Sequence, residues 1–553
     1  MNIIKTVSFI SLTFLLFSCQ SKPEEILTLN QGIVELDFHK KHIGEILFDT
    51  KYHKPTEYTE SDIKTLVNIS NEDEFFGRMF LDKTQTYYLS ELAPELSVNE
   101  LCKKGSYQFT FYVDDNKLYT YNLQTGAGSC SFRNEATSIY LPLISEEDHW
   151  GKFLWLKFMK KNGGQKALTE GPHQLKIEVR PYIETTELKV GEIIAQGEVG
   201  IQFINKKVSE AEMAIQAIAP DSGWEVAPEQ INEEKIKALN KKVAQNYFKD
   251  LTSVIVIKNG KLLLEEYFEK ANRNTLHNTR SVGKSFASAI TGIAIKEGHL
   301  KNEMATLKEF YKLKSYENYS PSKEDVTLKD LLTMSSHFAG SDMTGKNSED
   351  EMQDNAEDWM EFALNVPMDG KESETNTWDY WTPGTMILGD ILNKTVPGGL
   401  EAYAEKKLFT PLDIKEYKWF HTPQKVAYTG GGLEMTSLSL AKFGQLYLNN
   451  GTIDGNQIIS KEWVDSSLSK LLPISKRADE HYGYLFWNKG YTVGGKTYDT
   501  YYATGNGGNK IFIIKELELV VVITATAYGQ PHGHIQADEM MKDFILPSVV
   551  SSK

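Results

Sequence analysis

Cysteine is scarce in this chain: Cys19, Cys102 and Cys130 are the three cysteines among 553 residues. The sequence contains no CxxC pair and no cysteine–histidine cluster, so it offers no zinc-type ligand set. We therefore predict no metal site. Cys102 and Cys130 fall in a stretch rich in β-type residues, and they leave two interpretations open: a disulfide, or two buried free thiols.

Long basic runs are also missing. The formal net charge is -15 and the sequence pI is about 5.4, which excludes nucleic acid as an expected partner. No stretch after the first residues is long and apolar enough to predict a transmembrane helix. The apolar run from Val7 to Phe17, which follows Lys5, is too short to cross a bilayer and is typical of a signal peptide.

The residues Leu16-Phe17-Ser18-Cys19 resemble a bacterial lipobox, in which Cys19 would carry the lipid. We predict a lipoprotein signal peptide over residues 1–19 and export to the periplasm or the cell surface. Membrane contact would then occur only through the N-terminal lipid anchor. An ordinary signal peptide cut near Ser18 is the alternative, and it would also export the protein.

Residues 20–215 are predicted to form a β-rich accessory domain that resembles a sandwich. Apolar and polar residues alternate from Tyr107 to Val113, and the turn residues Asp114-Asp115-Asn116 then separate this run from a second one. Such a pattern indicates a half-buried hairpin. We find no catalytic constellation in this domain.

Residues 216–553 are predicted to form an α+β domain. The pair Asn259-Gly260 separates two apolar runs, which is a strong hairpin signal. Residues 279–296 have helical periodicity, and "KIFIIKELELVVVITAT" predicts another hairpin near the C-terminus. The two ends of the domain are therefore expected to share one sheet. The acidic segment Ser348–Asp358 lacks the spacing and the central glycine of an EF-hand, so we predict a solvated loop or helix face there.

The stretch "NTRSVGKSFASA" (Asn278–Ala289) allows two chemistries. A phosphate-binding loop would need glycine at position 278, which is Asn278, and the nucleophile elbow of α/β-hydrolases would need glycine at position 279, which is Thr279. Ser281 with Lys284 three residues on remains. At a helix N-terminus the two side chains share a face, and a desolvated lysine would have a lowered pKa and could accept the serine proton.

A serine followed by a lysine at this spacing proves little alone, because most serines at helix starts only cap the helix. The pattern recurs elsewhere in the chain, at Ser61/Lys64, Ser320/Lys323, Ser439/Lys442 and Ser467/Lys470. The surrounding segments decide between these sites.

The segment "TRSVGKSFASAITGIAI" resembles the nucleophile segment of the serine β-lactamase/penicillin-binding-protein superfamily. It most resembles the class C β-lactamase-like branch, which includes esterases, D-aminopeptidases and 6-aminohexanoate-dimer hydrolases. Further segments resemble that branch in the same order, over about Ser253 to Ala525: "TLKDLLTMSSHF", "TWDYWTPGTMILGDIL", "GGGLEMTSLSLAKFGQLYLNNG" and "YYATGNGGNKIFIIKELELVVVIT".

The resemblance implies an antiparallel sheet flanked by helices, with a helical subdomain. It implies that Ser281 is the nucleophile, with Lys284 and Tyr380 as general base and proton relay. Thr382 stands at the position of the branch's asparagine. The N–H groups of Ser281 and Asn506 would bind the oxyanion, beside the closely approaching Gly505. Such chemistry needs no cofactor.

One departure from the family pattern bears on the substrate. The third motif, Lys-Thr-Gly or His-x-Gly in the family, is Ala503-Thr504-Gly505 here, so the cation is absent. This favours an ester or amide substrate. The alternatives are a β-lactamase or D,D-peptidase, and a non-catalytic binding lipoprotein on the same scaffold. His337, where glycine is usual, and His277 could line the pocket; the substrate's identity and the oligomeric state stay open.

Overall fold

The structure is a computed structural model that describes residues 27–550, apart from 71–72, 126, 146–148, 375–376, 475–476, 478 and 531. Cys19 and the predicted signal peptide lie outside the described residues. The chain divides into two compact units, the first ending at Phe203 and the second beginning at Ile204. Among the described residues, no helix has both the length and the apolar character needed to cross a membrane.

The first unit contains two sheets with the strand orders β1-β3-β6 and β2-β9-β7-β4-β5, and β8 pairs with β7. The strands are β1 Ile46–Asp49, β2 Leu66–Ile69, β3 Phe75–Phe80, β4 Gly105–Val113, β5 Asn116–Asn122, β6 Ser138–Ile144, β7 Gly171–Glu184, β8 Leu188–Val190 and β9 Ala195–Phe203. The helices are α1 Asp37–Lys41, α2 Gln85–Leu92, α3 Val98–Lys104, α4 Cys130–Arg133, α5 Trp150–Lys161 and α6 Gly164–Ala167.

One hydrophobic core joins both sheets of this unit, as a sandwich-like architecture requires. Phe75 of β3 and Phe111 of β4 are fully buried in it. The predicted hairpin is present, because β4 pairs with β5 across the left-handed residues Asp114 and Asp115. The sequence pattern did not predict helix α5, which adds Trp155 and Phe158 to the same core.

Cys102 and Cys130 form a disulfide, with 5.7 Å between their Cα atoms. The bond joins the end of helix α3 to the start of α4. It closes a loop between cysteines 28 positions apart, and so restricts the unfolded chain.

The second unit contains a sheet with the order β11-β10-β22-β21-β20-β19-β18-β17 and a small sheet with the order β12-β14-β13, and β15 pairs with β16. Its strands are β10 Leu251–Lys258, β11 Lys261–Tyr267, β12 His277–Asn278, β13 Tyr417–Trp419, β14 Leu433–Met435, β15 Thr452–Ile453, β16 Asn456–Gln457, β17 Leu472–Pro473, β18 His481–Tyr482, β19 Trp487–Val493, β20 Lys496–Gly505, β21 Asn509–Ile514 and β22 Leu519–Ala525.

Helices surround the larger sheet and connect its two halves. They are α7 Glu210–Met213, α8 Glu233–Ala244, α9 Gly283–Lys296, α10 Pro321–Asp325, α11 Leu328–Leu332, α12 Glu349–Asn355, α13 Trp359–Asn365, α14 Thr382–Thr395, α15 Leu400–Ala404, α16 Ser437–Leu448, α17 Lys461–Ser467, α18 His532–Met540 and α19 Leu546–Val550. The unit is α+β, with an antiparallel sheet flanked by helices, and this confirms the predicted fold class.

The two ends of the second unit do share one sheet, as predicted. Strand β10 pairs antiparallel with β22, with Val254 opposite Ile523. Every residue of β22 is buried, which explains its continuous run of β-branched residues. Helices α9 and α16 meet through the stacked rings of Phe286 and Phe443, whose centroids are 3.8 Å apart.

The boundary between the units lies earlier than the predicted boundary after residue 215. Residues between Phe203 and the predicted boundary are bonded to the second unit: Asn240 Nδ2 donates to the Met213 carbonyl at 3.4 Å and to the Ala214 carbonyl at 3.2 Å. These bonds assign helix α7 and its flanks to the second unit.

Replacing both cysteines, Cys102→Ser with Cys130→Ser, is expected to lower the free energy of unfolding of the first unit by about 3 kcal/mol, because the open chain gains loop entropy. Urea denaturation followed by hydrogen exchange of peptides from residues 73–203 measures this change. A reductant should lower the urea midpoint of the wild type and leave the midpoint of the double variant unchanged. Equal midpoints for reduced and oxidised wild type would show that the two residues are free thiols.

Candidate active site

Ser281 lies in a single 3₁₀ turn, Arg280–Val282, that leads directly into helix α9. Strand β14 holds the start of this turn: Thr279 N donates to the Leu433 carbonyl at 3.0 Å, and Thr279 Oγ1 donates to the same oxygen at 2.6 Å. Arg280 adopts φ 50°, a left-handed conformation that costs a non-glycine residue on the order of 1 kcal/mol. The nucleophile candidate therefore sits on a fixed and strained corner.

Lys284 is 1% exposed and lies directly beneath Ser281. Its Nζ donates to Ser281 Oγ at 3.0 Å, and it also donates to the carbonyl oxygen of Gly430. A carbonyl oxygen can only accept, so Lys284 donates to Gly430. The two bonds fix Nζ beside the Ser281 hydroxyl.

The sequence-based expectation that burial leaves Lys284 with a lowered pKa is wrong. Burial does lower the pKa of Lys284, and it is the largest influence. Electrostatic interactions with Tyr380, Glu349 and Asp342 act against burial and together outweigh it. The pKa of Lys284 is raised above its ordinary value.

Tyr380 packs its ring beside Lys284, with the lysine Nζ 5.1 Å from the ring centroid. The centroids of the Tyr380 and Trp487 rings are 5.8 Å apart. The Tyr380 carbonyl accepts from Asp342 N at 2.9 Å, so both its ring and its backbone are fixed. The structure thus brings Ser281, Lys284 and Tyr380 together, as the sequence predicts.

Strand β20 approaches the nucleophile closely at Gly505. A methyl group on Gly505 would lie 2.1 Å from the Thr279 carbonyl oxygen and 3.0 Å from Ser281 N. The next residue, Asn506, lines the same cleft as Ser281, and its Oδ1 accepts from Gly529 N at 2.9 Å. Ser281 and Asn506, whose N–H groups are the predicted oxyanion donors, therefore line the same cleft.

Thr382 and Ala503 do not line this cleft. Thr382 is fully buried as the first residue of helix α14, and its N–H donates to Asp342 Oδ2 at 2.8 Å. Ala503 is fully buried opposite Ile511 in the hydrophobic core. Both positions therefore act in the structure through packing and backbone bonds.

The cleft has a volume of about 350 Å³. Its wall combines the nucleophile segment, the glycine-rich turn before β14 and the start of helix α12: Asn278, Arg280, Ser281, Glu349, Asp350, Gln353, Trp359, Phe420, His421, Tyr428, Gly430, Gly431, Gly432 and Asn506. Sequence reasoning missed Glu349, Asp350 and Gly430 as site residues. The acidic run predicted to be a solvated face does form a helix, but its first turn faces the cleft.

His337 and His277 lie away from this cleft. His337 lines a separate cavity of about 460 Å³, where its Nε2 bonds Thr377 Oγ1 at 3.0 Å and its Nδ1 faces Asp369 Oδ2 at 3.3 Å. His277 is buried in β12, and burial lowers its pKa to about 4. Within the described ranges, no group of three or more His, Cys, Asp or Glu residues could hold a metal ion.

Comparison with known families agrees with this geometry. The Beta-lactamase family model matches residues 245–542, more than half of the chain, and the chain belongs to that family. Members of this family are serine hydrolases of the acyl-transfer superfamily. The search of curated proteins finds no sequence match.

Solved structures of similar proteins share low identity with the chain. A Bacillus anthracis protein described as a 6-aminohexanoate-dimer hydrolase is 19% identical, with 53% of this chain and 78% of that chain covered and a TM-score of 0.44. The octameric penicillin-binding protein homologue from Pyrococcus abyssi is 21% identical, with coverages of 56% and 76% and a TM-score of 0.45. A D-stereospecific amidohydrolase from Streptomyces is 10% identical, with coverages of 53% and 93% and a TM-score of 0.42.

Replacing Gly505 by alanine is expected to reduce the reaction of Ser281 by at least about 100-fold, the scale associated with losing one oxyanion donor. The added methyl must displace β20 from the nucleophile segment. The rate of covalent labelling by a fluorophosphonate measures the effect. Gly77→Ala is a matched control, because its methyl would meet nothing closer than 3.4 Å. Undiminished labelling of the Gly505 variant would show that this approach is not needed.

Proposed function

We propose that the protein is a serine hydrolase that cleaves an ester or an amide through an acyl-enzyme on Ser281, with Lys284 and Tyr380 together as the general base. The observation that carries this proposal is the 3.0 Å hydrogen bond from Lys284 Nζ to Ser281 Oγ at the wall of an open cleft. A serine that merely caps a helix accepts from backbone N–H groups, as Ser320 does from Lys323 N. Ser281 makes no such side-chain cap.

In acylation, Ser281 Oγ bonds to the substrate carbonyl carbon, and its proton passes to the Lys284–Tyr380 pair. Lys284 Nζ lies 5.1 Å from the centroid of the Tyr380 ring, so the two groups lie side by side. The N–H groups of Ser281 and Asn506 stabilise the oxyanion. The pair then protonates the leaving alcohol or amine as its bond to the carbonyl carbon breaks. Water attacks the acyl-enzyme by the same route and regenerates Ser281.

The third motif supports one substrate class over the others. Ala503 supplies no charge, and its side chain is buried in the core. A β-lactam or a D-Ala-D-Ala peptide would find no cation on β20 for its carboxylate. This supports simple esters and amides over β-lactams and peptidoglycan stems.

The variant Ser281→Ala is expected to lose all fluorophosphonate labelling and all turnover of a panel of esters, D-amino-acid amides and short linear amides. Ser320→Ala is the matched control, since Ser320 also precedes a lysine by three residues but caps a helix. That control should lose about 1 kcal/mol of stability and keep its labelling.

The same panel separates the competing functions. Folded wild-type protein that resists labelling and cleaves nothing would be a binding protein on this scaffold. Turnover of nitrocefin or a D-Ala-D-Ala peptide in preference to esters and amides would instead identify a β-lactamase or D,D-peptidase.

We further propose that the protein is an exported lipoprotein held at a membrane through Cys19. The support is the short apolar run before a lipobox-like segment. In a bacterial host, Cys19→Ser is expected to move the protein from the membrane fraction to the soluble fraction and to abolish incorporation of an alkyne-labelled fatty acid. A variant that is labelled and sediments like the wild type would contradict the anchor.

A further inference from the structure

Arg280 presents a cation at the wall of the cleft, directly before Ser281 in the chain. Its side chain is exposed and lines the cleft together with Ser281 and Asn506. Among the described residues that line this cleft, it is the only arginine or lysine. Lys284 lies beneath, where its Nζ is already bonded to Ser281 Oγ and to the Gly430 carbonyl. Arg280 is therefore the fixed positive charge that an incoming substrate meets.

The Arg280 guanidinium has no acidic partner within the described part of the chain, where no carboxylate lies within 4.0 Å of it. The formal net charge is -15, so carboxylates are not scarce. The other arginines that are not buried each pair with one: Arg180 with Glu192, Arg273 with Glu265, and Arg477 with Glu480. The charge and the planar set of N–H donors of Arg280 therefore stay available for a ligand.

The Tyr528 ring holds this guanidinium in place. The guanidinium carbon lies 4.3 Å from the ring centroid, which is a cation–π contact. Tyr528 is itself fixed: its OH donates to the Asn278 carbonyl at 3.4 Å, and a methyl group on Gly507 would lie 2.7 Å from its ring. Gly507 follows Asn506, a predicted oxyanion donor. The charge is therefore positioned before a substrate arrives, which lowers the entropic cost of binding through it.

The backbone of Arg280 is held as firmly as its side chain. Arg280 N donates to Asn278 Oδ1 at 3.0 Å. A methyl group on Gly431 would lie 3.0 Å from the Arg280 carbonyl oxygen, and one on Gly505 would lie 3.1 Å from the Arg280 Cβ. These neighbours maintain the left-handed φ of 50° against its conformational cost. An arginine in such a conformation, next to the nucleophile, indicates a use for its side chain.

The cleft is asymmetric in charge. Glu349 and Asp350 line it from the first turn of helix α12, whereas Arg280 lies on the nucleophile segment. An anionic group on a substrate is repelled by the two carboxylates and attracted to the guanidinium. The cleft therefore orients such a group toward Arg280.

We propose that Arg280 is a specificity-determining residue that binds a carboxylate of the substrate through a bidentate pair of hydrogen bonds. The substrate class is then an ester or amide that carries a free carboxylate close to the bond that is cleaved. This inference rests on the proposed function of Ser281. The cation comes from the nucleophile segment and not from β20, so it does not restore the third motif.

The test measures kcat/KM for two pairs of esters. In the first pair the acyl chain ends in a carboxylate or in a methyl group: mono-para-nitrophenyl glutarate and para-nitrophenyl pentanoate. In the second pair the leaving group is charged or neutral: the butanoate esters of meta-hydroxybenzoate and meta-hydroxybenzamide. The wild type is expected to favour the charged member of at least one pair.

Arg280→Gln is expected to lower that charged-to-neutral ratio by roughly 10- to 100-fold, the scale of one charge-assisted contact. The loss should appear mainly in KM, because the carboxylate contact is made equally in the ground state and the transition state. Arg280→Lys keeps the charge but not the bidentate geometry, so its ratio should fall between those of the wild type and Arg280→Gln.

Two further variants keep the result interpretable. Arg180→Gln makes the same change of charge in the first unit, and its ratio should match the wild type. Tyr528→Leu removes the ring that holds the guanidinium, and should lower the ratio in the same direction as Arg280→Gln, by less. It tests the proposal even if Arg280→Gln does not fold, which far-UV circular dichroism checks for each variant.

Equal charged-to-neutral ratios in both pairs for the wild type and the folded Arg280→Gln variant would overturn the proposal. A wild type that favours the neutral member of both pairs would overturn it as well. Failure of the proposed function itself is distinct: the wild type would then hydrolyse no ester of either pair, and a fluorophosphonate would not label it.

Discussion

The buried ammonium group of Lys284 is the constraint on which the rest of the site depends. A lysine that is 1% exposed can keep its charge only where fixed acceptors surround it. The chain supplies two acceptors from separate segments, Ser281 one turn earlier and Gly430 before β14, and the Tyr380 ring before α14 lies beside them. Each segment is held in turn by backbone bonds to a neighbour. The site therefore exists only in the fully folded second unit.

The closure of the large sheet provides that rigidity. Strands β10 and β22 come from opposite ends of the unit and pair next to the β11 edge of the sheet, so the nucleophile segment and β20 are fixed in one frame. Gly505 can then approach Thr279 and Ser281 at distances that no other residue would allow. Glycine recurs for the same reason at Gly283, where a methyl would lie 2.8 Å from the Gly431 carbonyl. The same glycine-rich turn also presents the Gly430 carbonyl that accepts from Lys284.

Local signals predicted much of this fold. Asn259 and Gly260 both adopt left-handed conformations, so the hairpin followed from residue types alone. The pairing of Ser281 with Lys284 followed from helix geometry, since residues three apart share a face. The first unit was harder to predict. Helix α5 has a mixed pattern of apolar and polar residues, and which of its faces is buried depends on the sheet that covers it. The unit boundary depended likewise on long-range bonds such as that from Asn240 to the Ala214 carbonyl.

The sequence also did not predict that the pKa of Lys284 is raised, because this shift too depends on residues distant in the chain. Burial of a lysine is predictable from its position on an apolar helix, and burial alone lowers the pKa. The opposing carboxylates, Asp342 and Glu349, lie more than fifty residues away in a segment whose composition predicts only a solvated face. Their effect depends on a fold in which Asp342 bridges two backbone N–H groups, and no local pattern encodes that bridge.

The third-motif change and the acidic segment are two aspects of one electrostatic arrangement. Where the family places a cation on β20, this chain has Ala503 packed in the core, and where sequence predicted solvent, it has Glu349 at the cleft wall. Ala503 removes positive potential from around the reacting carbonyl, and Glu349 adds negative potential there. Lys284 then has no competing cation from β20 and two carboxylates in support. This arrangement raises the pKa of Lys284, while Arg280 remains as a cation that lines the cleft.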